Sequence, residues 1–243
     1  MSDKVNFGDE LVDPDEKTRR VGAVFSSVAR RYDLMNDLMS GGLHRLWKDR
    51  FVARLKPRAG ERILDMAGGT GDVAFRIAKR GAQVMVADIN PDMLGVGRER
   101  AKERSVDGLS WQVEDAAKLT FADRSFDAYT IAFGIRNVTD IPAALREAHR
   151  VLVRGGRFFC LEFSTSDWPG FAQAYEAYSS AVIPRIGKVV ADDEASYRYL
   201  VESIRRFPRP EAFRRMIADA GFTRANAEPM LGGLVAIHSG WKI

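Results

Sequence analysis

A single cysteine, Cys160, occurs in 243 residues, so no internal disulfide can form. Its setting, FFCLEF, reads as a buried strand position and not as a reactive thiol. Long apolar runs are missing as well. The longest, such as DAYTIAFGI at 127–135, fall far short of the ~18–20 residues that span a bilayer. The N-terminal MSDKVNFGDELVDPDEK has neither the basic start nor the apolar stretch of a secretory signal, and it carries acids that a transit peptide avoids. A cytoplasmic protein is expected, one that meets a membrane only peripherally at its inner face. Charge of one sign is also lacking: 37 Lys and Arg stand against 33 Asp and Glu. Arginine is scattered, with a tight cluster only at Arg205, Arg206 and Arg209, which suits a solvated surface better than a nucleic-acid track. No nucleic-acid partner is expected.

What is present is the alternation of a doubly wound α/β protein. ERILDMA (61–67), QVMVADI (83–89), LSWQVEDA (109–116), FDAYTIAFGI (126–135) and RFFCLEFS (157–164) are apolar, β-branched or aromatic runs. Helical stretches at 72–80, 91–105 and 140–153 separate them. That spacing predicts βαβ units and a mostly parallel sheet covered on both faces. A further helix at 210–221 leads to FTRANAEPML and GGLVAIHSGWKI. The Gly232-Gly233 pair between these runs predicts a turn joining two antiparallel strands at the sheet edge. Residues 1–17 read as a flexible tail, and 18–243 as a single domain with a helical cap over 18–57. A helical insertion over 167–206 reads as a lid or a dimer surface.

The strongest local signal is Asp65-Met66-Ala67-Gly68-Gly69-Thr70-Gly71-Asp72, directly after a strand and directly before a helix. Glycines allow a tight turn and close approach of a ligand, and the helix start offers free N–H donors. Gly69, Gly71 and Ala74 also satisfy the dinucleotide fingerprint G-x-G-x-x-A, so the loop alone leaves an NAD-linked oxidoreductase open. Asp88 ends the second strand 19 residues after Gly69, where a carboxylate can accept both hydroxyls of a ribose. Asp65 would repel a pyrophosphate but suits the ammonium group of a methionine moiety, which favours S-adenosylmethionine (SAM) over NAD. Glu114-Asp115-Ala116 closes the third strand with a carboxylate for the exocyclic amine of adenine and a small residue beside the ring. The bland alternative for Asp115 is a turn cap.

The fourth strand ends in Ala132-Phe133-Gly134-Ile135-Arg136-Asn137. Strand ends of this kind form the ligand crevice, which points Arg136 and Asn137 at a substrate. FGIRN lacks the Pro-Pro-aromatic clamp of amino methyltransferases and the cysteine of cytosine-C5 enzymes; Arg and Asn suit an oxygen bearing negative charge. The alternative for Arg136 is an ion pair that pins the loop.

Taken together, YDLMNDLMSGGLHRLWK, ILDMAGGTGD, ADINPDM, FDAYTIAFGIRNVTD, RVLVRGGRFFCLEFS and YRYLVESIRRFP resemble the ubiquinone/menaquinone biosynthesis C-methyltransferases, the UbiE/COQ5 family. The resemblance runs from about residue 20 to the C-terminus. It implies a class I SAM-dependent methyltransferase fold with a seven-stranded, Rossmann-like sheet, and methyl transfer to a ring carbon of a polyprenylated quinol. Carried over by position, the donor-binding residues are Thr70, Asp88, Asp115 and Ala116. Ala132 departs from the enterobacterial pattern, which has Ser there, and one hydroxyl contact is lost.

A quinol carbon becomes nucleophilic when a neighbouring hydroxyl loses its proton, and no metal is needed. Carbon and methyl must be held about 3–3.5 Å apart. Arg136 is the candidate for stabilising the phenolate and Asn137 for orienting it. A guanidinium is a poor direct base, which leaves Tyr32, Asp33 and His44 to take the proton. Tyr32 and His44 lie in YDLMNDLMSGGLHRLWKD, which reads as a substrate-side cap. The insoluble tail calls for a membrane or a carrier. Trp168, Phe171, Tyr175, Tyr178, Val182 and Ile183, followed by Arg185 and Lys188, suit an interfacial lid or a homodimer face. A non-catalytic scaffold in a quinone-biosynthesis complex is the remaining alternative.

Overall fold

A computed structural model describes residues 4–29, 36–37, 40–164 and 194–243. The chain opens with a hairpin, β1 (Val5–Phe7) and β2 (Glu10–Val12), then α1 (Pro14–Val28) and α2 (His44–Leu55). β3 (Arg62–Met66), α3 (Asp72–Ala78), β4 (Gln83–Asp88), α4 (Pro91–Glu103), β5 (Leu109–Val113) and β6 (Phe126–Ala132) follow. After a 3-10 turn at Ile135–Asn137 come α5 (Ile141–Val151), β7 (Leu152–Phe163), α6 (Glu194–Arg206), α7 (Pro210–Asp219), β8 (Thr223–Met230) and β9 (Val235–Trp241).

The seven long strands form one sheet in the order β5-β4-β3-β6-β7-β9-β8. The five on the β5 side are parallel, and β9 runs antiparallel to both β7 and β8. Alternation along each strand feeds two cores. Ile63, Phe159 and Leu161 pack on one face against Phe51 and Leu55 of α2 and Ile77 of α3. Leu64, Phe158 and Cys160 pack on the other against Leu145 of α5 and Phe213 of α7. Cys160 is fully buried, and burial pushes its thiol well above the ordinary range. The turn between β8 and β9 uses Gly232 and Gly233 at φ of 62° and 93°, a region open to glycine at little cost.

Two expectations about the N-terminal third change. Residues 5–12 are no tail: VNF and ELV alternate around Gly8-Asp9 and pair as a hairpin. Phe7 stacks on Tyr199 of α6 at 4.4 Å, and Arg206 reaches Asp9 at 2.8 Å, so distant contacts hold what looked like free chain. α1 therefore begins at Pro14, with Pro in its first turn and Asp15 and Glu16 at the positive end of its dipole. The cap over 18–57 also divides. α1 lies over the strand ends, whereas α2 covers the sheet, with Phe51 and Leu55 among the most deeply buried side chains. Tyr32, Asp33 and the insertion up to residue 193, including its aromatic face, lie outside the described residues. Among the described residues no helix is long and apolar enough to cross a membrane.

Candidate active site

The main cavity sits at the carboxyl ends of β3, β4 and β6, under α1. The loop after β3 supplies one wall. Gly69, at φ of 52°, turns its N–H to Asp88 Oδ2 at 3.0 Å, and Gly71, at φ of 82°, caps α3. Two non-glycine residues of the cavity lining share the left-handed region, Ala67 at 51° and Phe133 at 56°. Both line the cavity at strand ends, where such backbone costs roughly 1 kcal/mol or more and persists only when the surroundings impose it.

Asp65, Lys48 and Asp72 form the charged end of the cavity. Asp65 is 1% exposed; Oδ1 accepts from Thr130 at 2.7 Å, while Oδ2 has no hydrogen-bond partner among the described residues. Burial pushes its carboxyl up to about 7, against the opposing effects of Thr130 and Lys48. Lys48 is 4% exposed and donates to Asp72 Oδ2 at 2.8 Å. Burial opposes ionisation of Asp72, yet Lys48 and Arg76 together hold it down at about 2. A free carboxylate oxygen and a buried ammonium facing one space can take the ammonium and carboxylate of a zwitterionic amino acid. Lys48 was not foreseen from the sequence. The signal was there: Lys48 shares a helix face with the buried Phe51, Val52 and Leu55, and a cation in an apolar stripe needs a reason.

Asp88 lies at the end of β4, accepting from Gly69 and, through Oδ1, from the Asn90 N–H at 2.9 Å. Burial pushes its carboxyl up to about 6. Each carboxylate oxygen keeps lone pairs for a vicinal diol. Asn90 also ties down the roof: Nδ2 donates to Gly22 O and Ser26 Oγ of α1, both at 2.9 Å. Thr18, Gly22 and Phe25 of that helix line the cavity, a contribution local patterns did not reveal. Asp115 and Ala116 line it too, and Asp115 Oδ1 accepts from Ala117 N, so the turn-cap role operates there as well. Glu114 is fully engaged by Gln112 and Thr120. Thr70 and Ala132 complete the lining.

Beyond β6 the outcome is mixed. Asn137 lines the cavity, and its Oδ1 accepts from Tyr199 at 3.0 Å, which leaves its N–H groups as donors. Burial pushes the Tyr199 hydroxyl up to about 12, so it stays a donor. Arg136 does not line the main cavity. Its Nη1 donates to Glu162 Oε1 at 2.7 Å and to Phe133 O at 2.6 Å, with both charged side chains out of solvent. The loop-pinning alternative is therefore what the geometry displays, although Arg136 Nε and Glu162 Oε2 have no hydrogen-bond partner among the described residues. Burial pushes the Glu162 carboxyl up, opposed by Arg136. Trp47, Phe133 and Phe163 cluster beside this pair with centroid separations of 4.9 to 6.3 Å.

His44 lies apart from the main cavity. It lines a separate depression with Arg45, Asp49 and Arg76, and its Nε2 lies 2.8 Å from Asp37 Oδ1. Burial lowers its pKa. One turn further along α2, Lys48 takes the position facing the cavity, so the helix presents an ammonium there and not an imidazole.

A 5-4-3-6-7-9-8 sheet with a cavity at its strand ends, lined by Lys48, Asp65, Asp88 and Ala116, is the architecture of a class I SAM-dependent methyltransferase. A solved structure from Thermotoga maritima, a SAM-dependent methyltransferase described as a possible histamine N-methyltransferase, shares this fold with a TM-score of 0.66 at 19% identity, over 92% of this chain and all of its own. The chain belongs to the ubiE/COQ5 methyltransferase family, which matches residues 14–242. The ubiquinone/menaquinone biosynthesis C-methyltransferase UbiE of Zymomonas mobilis is 62% identical, over 99% of this chain and 100% of its own length. The mitochondrial 2-methoxy-6-polyprenyl-1,4-benzoquinol methylase of Oryza sativa is 54% identical, over 100% and 90% respectively.

Proposed function

We propose that this chain transfers the methyl group of SAM to a ring carbon of a polyprenylated quinol in ubiquinone/menaquinone biosynthesis. The acceptor is 2-polyprenyl-6-methoxy-1,4-benzoquinol, demethylmenaquinol, or both. The observation that carries this reading is the 62% identity, over essentially both full lengths, to the Zymomonas mobilis relative. It displaces the NAD-linked and scaffold alternatives, and the unpartnered Asp65 Oδ2 adds a physical reason: an acid at the end of β3, just before the glycine loop, suits an ammonium and repels a pyrophosphate.

When bound, SAM supplies an electrophilic methyl on a sulfonium. The chain's residues do the rest. Asp65 and Lys48 hold the amino-acid end, Asp88 the ribose, and Asp115 with Ala116 the adenine, with Thr70 and the N–H groups of Gly69 and Gly71 shaping the loop around it. Asn137, its Oδ1 fixed by Tyr199, turns its N–H groups to the acceptor's developing phenolate. Arg136 is held behind it by Glu162 and acts as a positioning residue. Phe133, Trp47 and Phe163 form an aromatic wall that excludes water and strengthens these contacts. Tyr32 and Asp33 remain the candidates for taking the phenolic proton.

The purified chain with methyl-labelled SAM and each quinol acceptor tests the proposal. Ring-carbon methylation by mass spectrometry is expected for at least one; absence with both acceptors, despite SAM binding, would reject it. Because the acceptor's tail is insoluble, peripheral contact with the inner face of a membrane, a quinone-biosynthesis complex or a homodimer is part of the proposal. Co-sedimentation with vesicles and sedimentation velocity examine these separately.

A further inference from the structure

A second crevice lies on the far side of the Val138–Thr139 segment, which it shares with the main cavity. Basic groups converge on it from four elements: Lys4 before the hairpin, Lys17 of α1, Arg136 of the 3-10 turn and Arg206 of α6. Arg136 is paired with Glu162 and Arg206 with Asp9. The other two have no acid partner among the described residues. Lys17 is 7% exposed, and among the described residues its ammonium makes one hydrogen bond, to Val138 O at 3.2 Å. Asp140, which also lines the crevice, is tied through Oδ1 to Ala143 N at the start of α5 and forms no ion pair with Lys4 or Lys17 among the described residues. An ammonium taken out of water without a carboxylate is unfavourable, and burial lowers the Lys17 pKa accordingly.

We propose that this crevice binds a phosphate-class oxyanion, with the Lys17 ammonium at its base and Lys4 and Arg206 at its mouth. The ligand is recognised by charge and by N–H donors, which a phosphate monoester or diester satisfies whether it belongs to a soluble molecule or a lipid headgroup. The exposed Leu11 on β2, paired across the hairpin with the crevice residue Asn6, is compatible with the lipid source. The site is distinct from the methyl-donor cavity and does not depend on which acceptor is methylated. Its shared wall at Val138 and Thr139 places it where occupancy would bear on α1 and Asn137.

The test uses the full-length chain without acceptor. Inorganic phosphate is titrated by calorimetry against chloride at matched ionic strength, and sedimentation compares phosphatidylglycerol with phosphatidylcholine vesicles. Saturable one-site phosphate binding is expected, weakened about tenfold or more in Lys17→Met and about threefold or more in the exposed Lys4→Glu. SAM affinity measured on the same samples reports that each variant is folded. Should Lys17→Met fail to fold, Lys4→Glu decides alone. Preferential binding to phosphatidylglycerol, lost in the same variants, identifies the lipid source; phosphate binding without it identifies a soluble one. Phosphate indistinguishable from chloride, or folded variants that bind as the parent does, overturns the proposal.

Discussion

Arg136 donates through Nη1 to Glu162 Oε1 at 2.7 Å, joining the turn after β6 to the end of β7 with both side chains out of solvent. Such a pair is costly to break from one side, because the remaining charge is left buried. Glu162→Leu is expected to destabilise the chain by about 3–5 kcal/mol, and Arg136→Met by a similar amount. The double variant Arg136→Met/Glu162→Leu should lose much less than the sum. Urea unfolding of the four proteins measures the coupling; additive losses would show that the pair does not act as a unit.

Asp65 sets a pH dependence. Its carboxyl is raised from 3.8 to about 7 by burial, so without ligand the fold retains a proton there that the unfolded chain releases. Between those values Asp65 makes stability fall as pH rises, since the unfolded state binds fewer protons. Donor binding has the opposite sign. The ammonium needs the carboxylate, so SAM affinity should weaken by up to about tenfold per pH unit below about 7 and level off above it. Calorimetry from pH 5.5 to 8.5 checks this. Asp65→Asn should bind about ten- to a hundredfold more weakly with a flat profile.

Lys48 is expected to serve the donor's carboxylate as well as Asp72. Lys48→Met should weaken SAM binding by about tenfold or more. It should also shift acid unfolding. Asp72 is held at about 2 against an ordinary 3.8, so the stability it contributes is present above pH 3.8 and lost as pH falls toward 2. Without Lys48 much of that contribution disappears. Unchanged SAM affinity in a folded Lys48→Met protein would confine the lysine to a structural role.

Tyr199 fixes Asn137 from a helix more than sixty residues further along the chain. Tyr199→Phe keeps the stacking with Phe7 and removes the hydroxyl donor. A stability loss of about 1 kcal/mol is expected, with turnover reduced several-fold and SAM affinity unchanged. A lowered SAM affinity with normal turnover would move Asn137 from the acceptor side to the donor side.

Much of this arrangement is local and so was legible in the residues alone. Strand runs, the glycine loop between β3 and α3, Asp88 at its strand end, and the β8–β9 turn depend on periodicity and on backbone conformations within a few residues. The family motifs added the chemistry. Packing decided what the local pattern left open. Whether Arg136 faced a substrate or an acid depended on Glu162, 26 residues away on the neighbouring strand. The rotation of α2 on the sheet placed Lys48 in the cavity and His44 outside it. Phe7 and Asp9 became ordered through Tyr199 and Arg206, nearly two hundred residues distant. A side chain's role here follows from its desolvation and its charged neighbours, and in each of these cases the neighbours are brought together only by the tertiary fold.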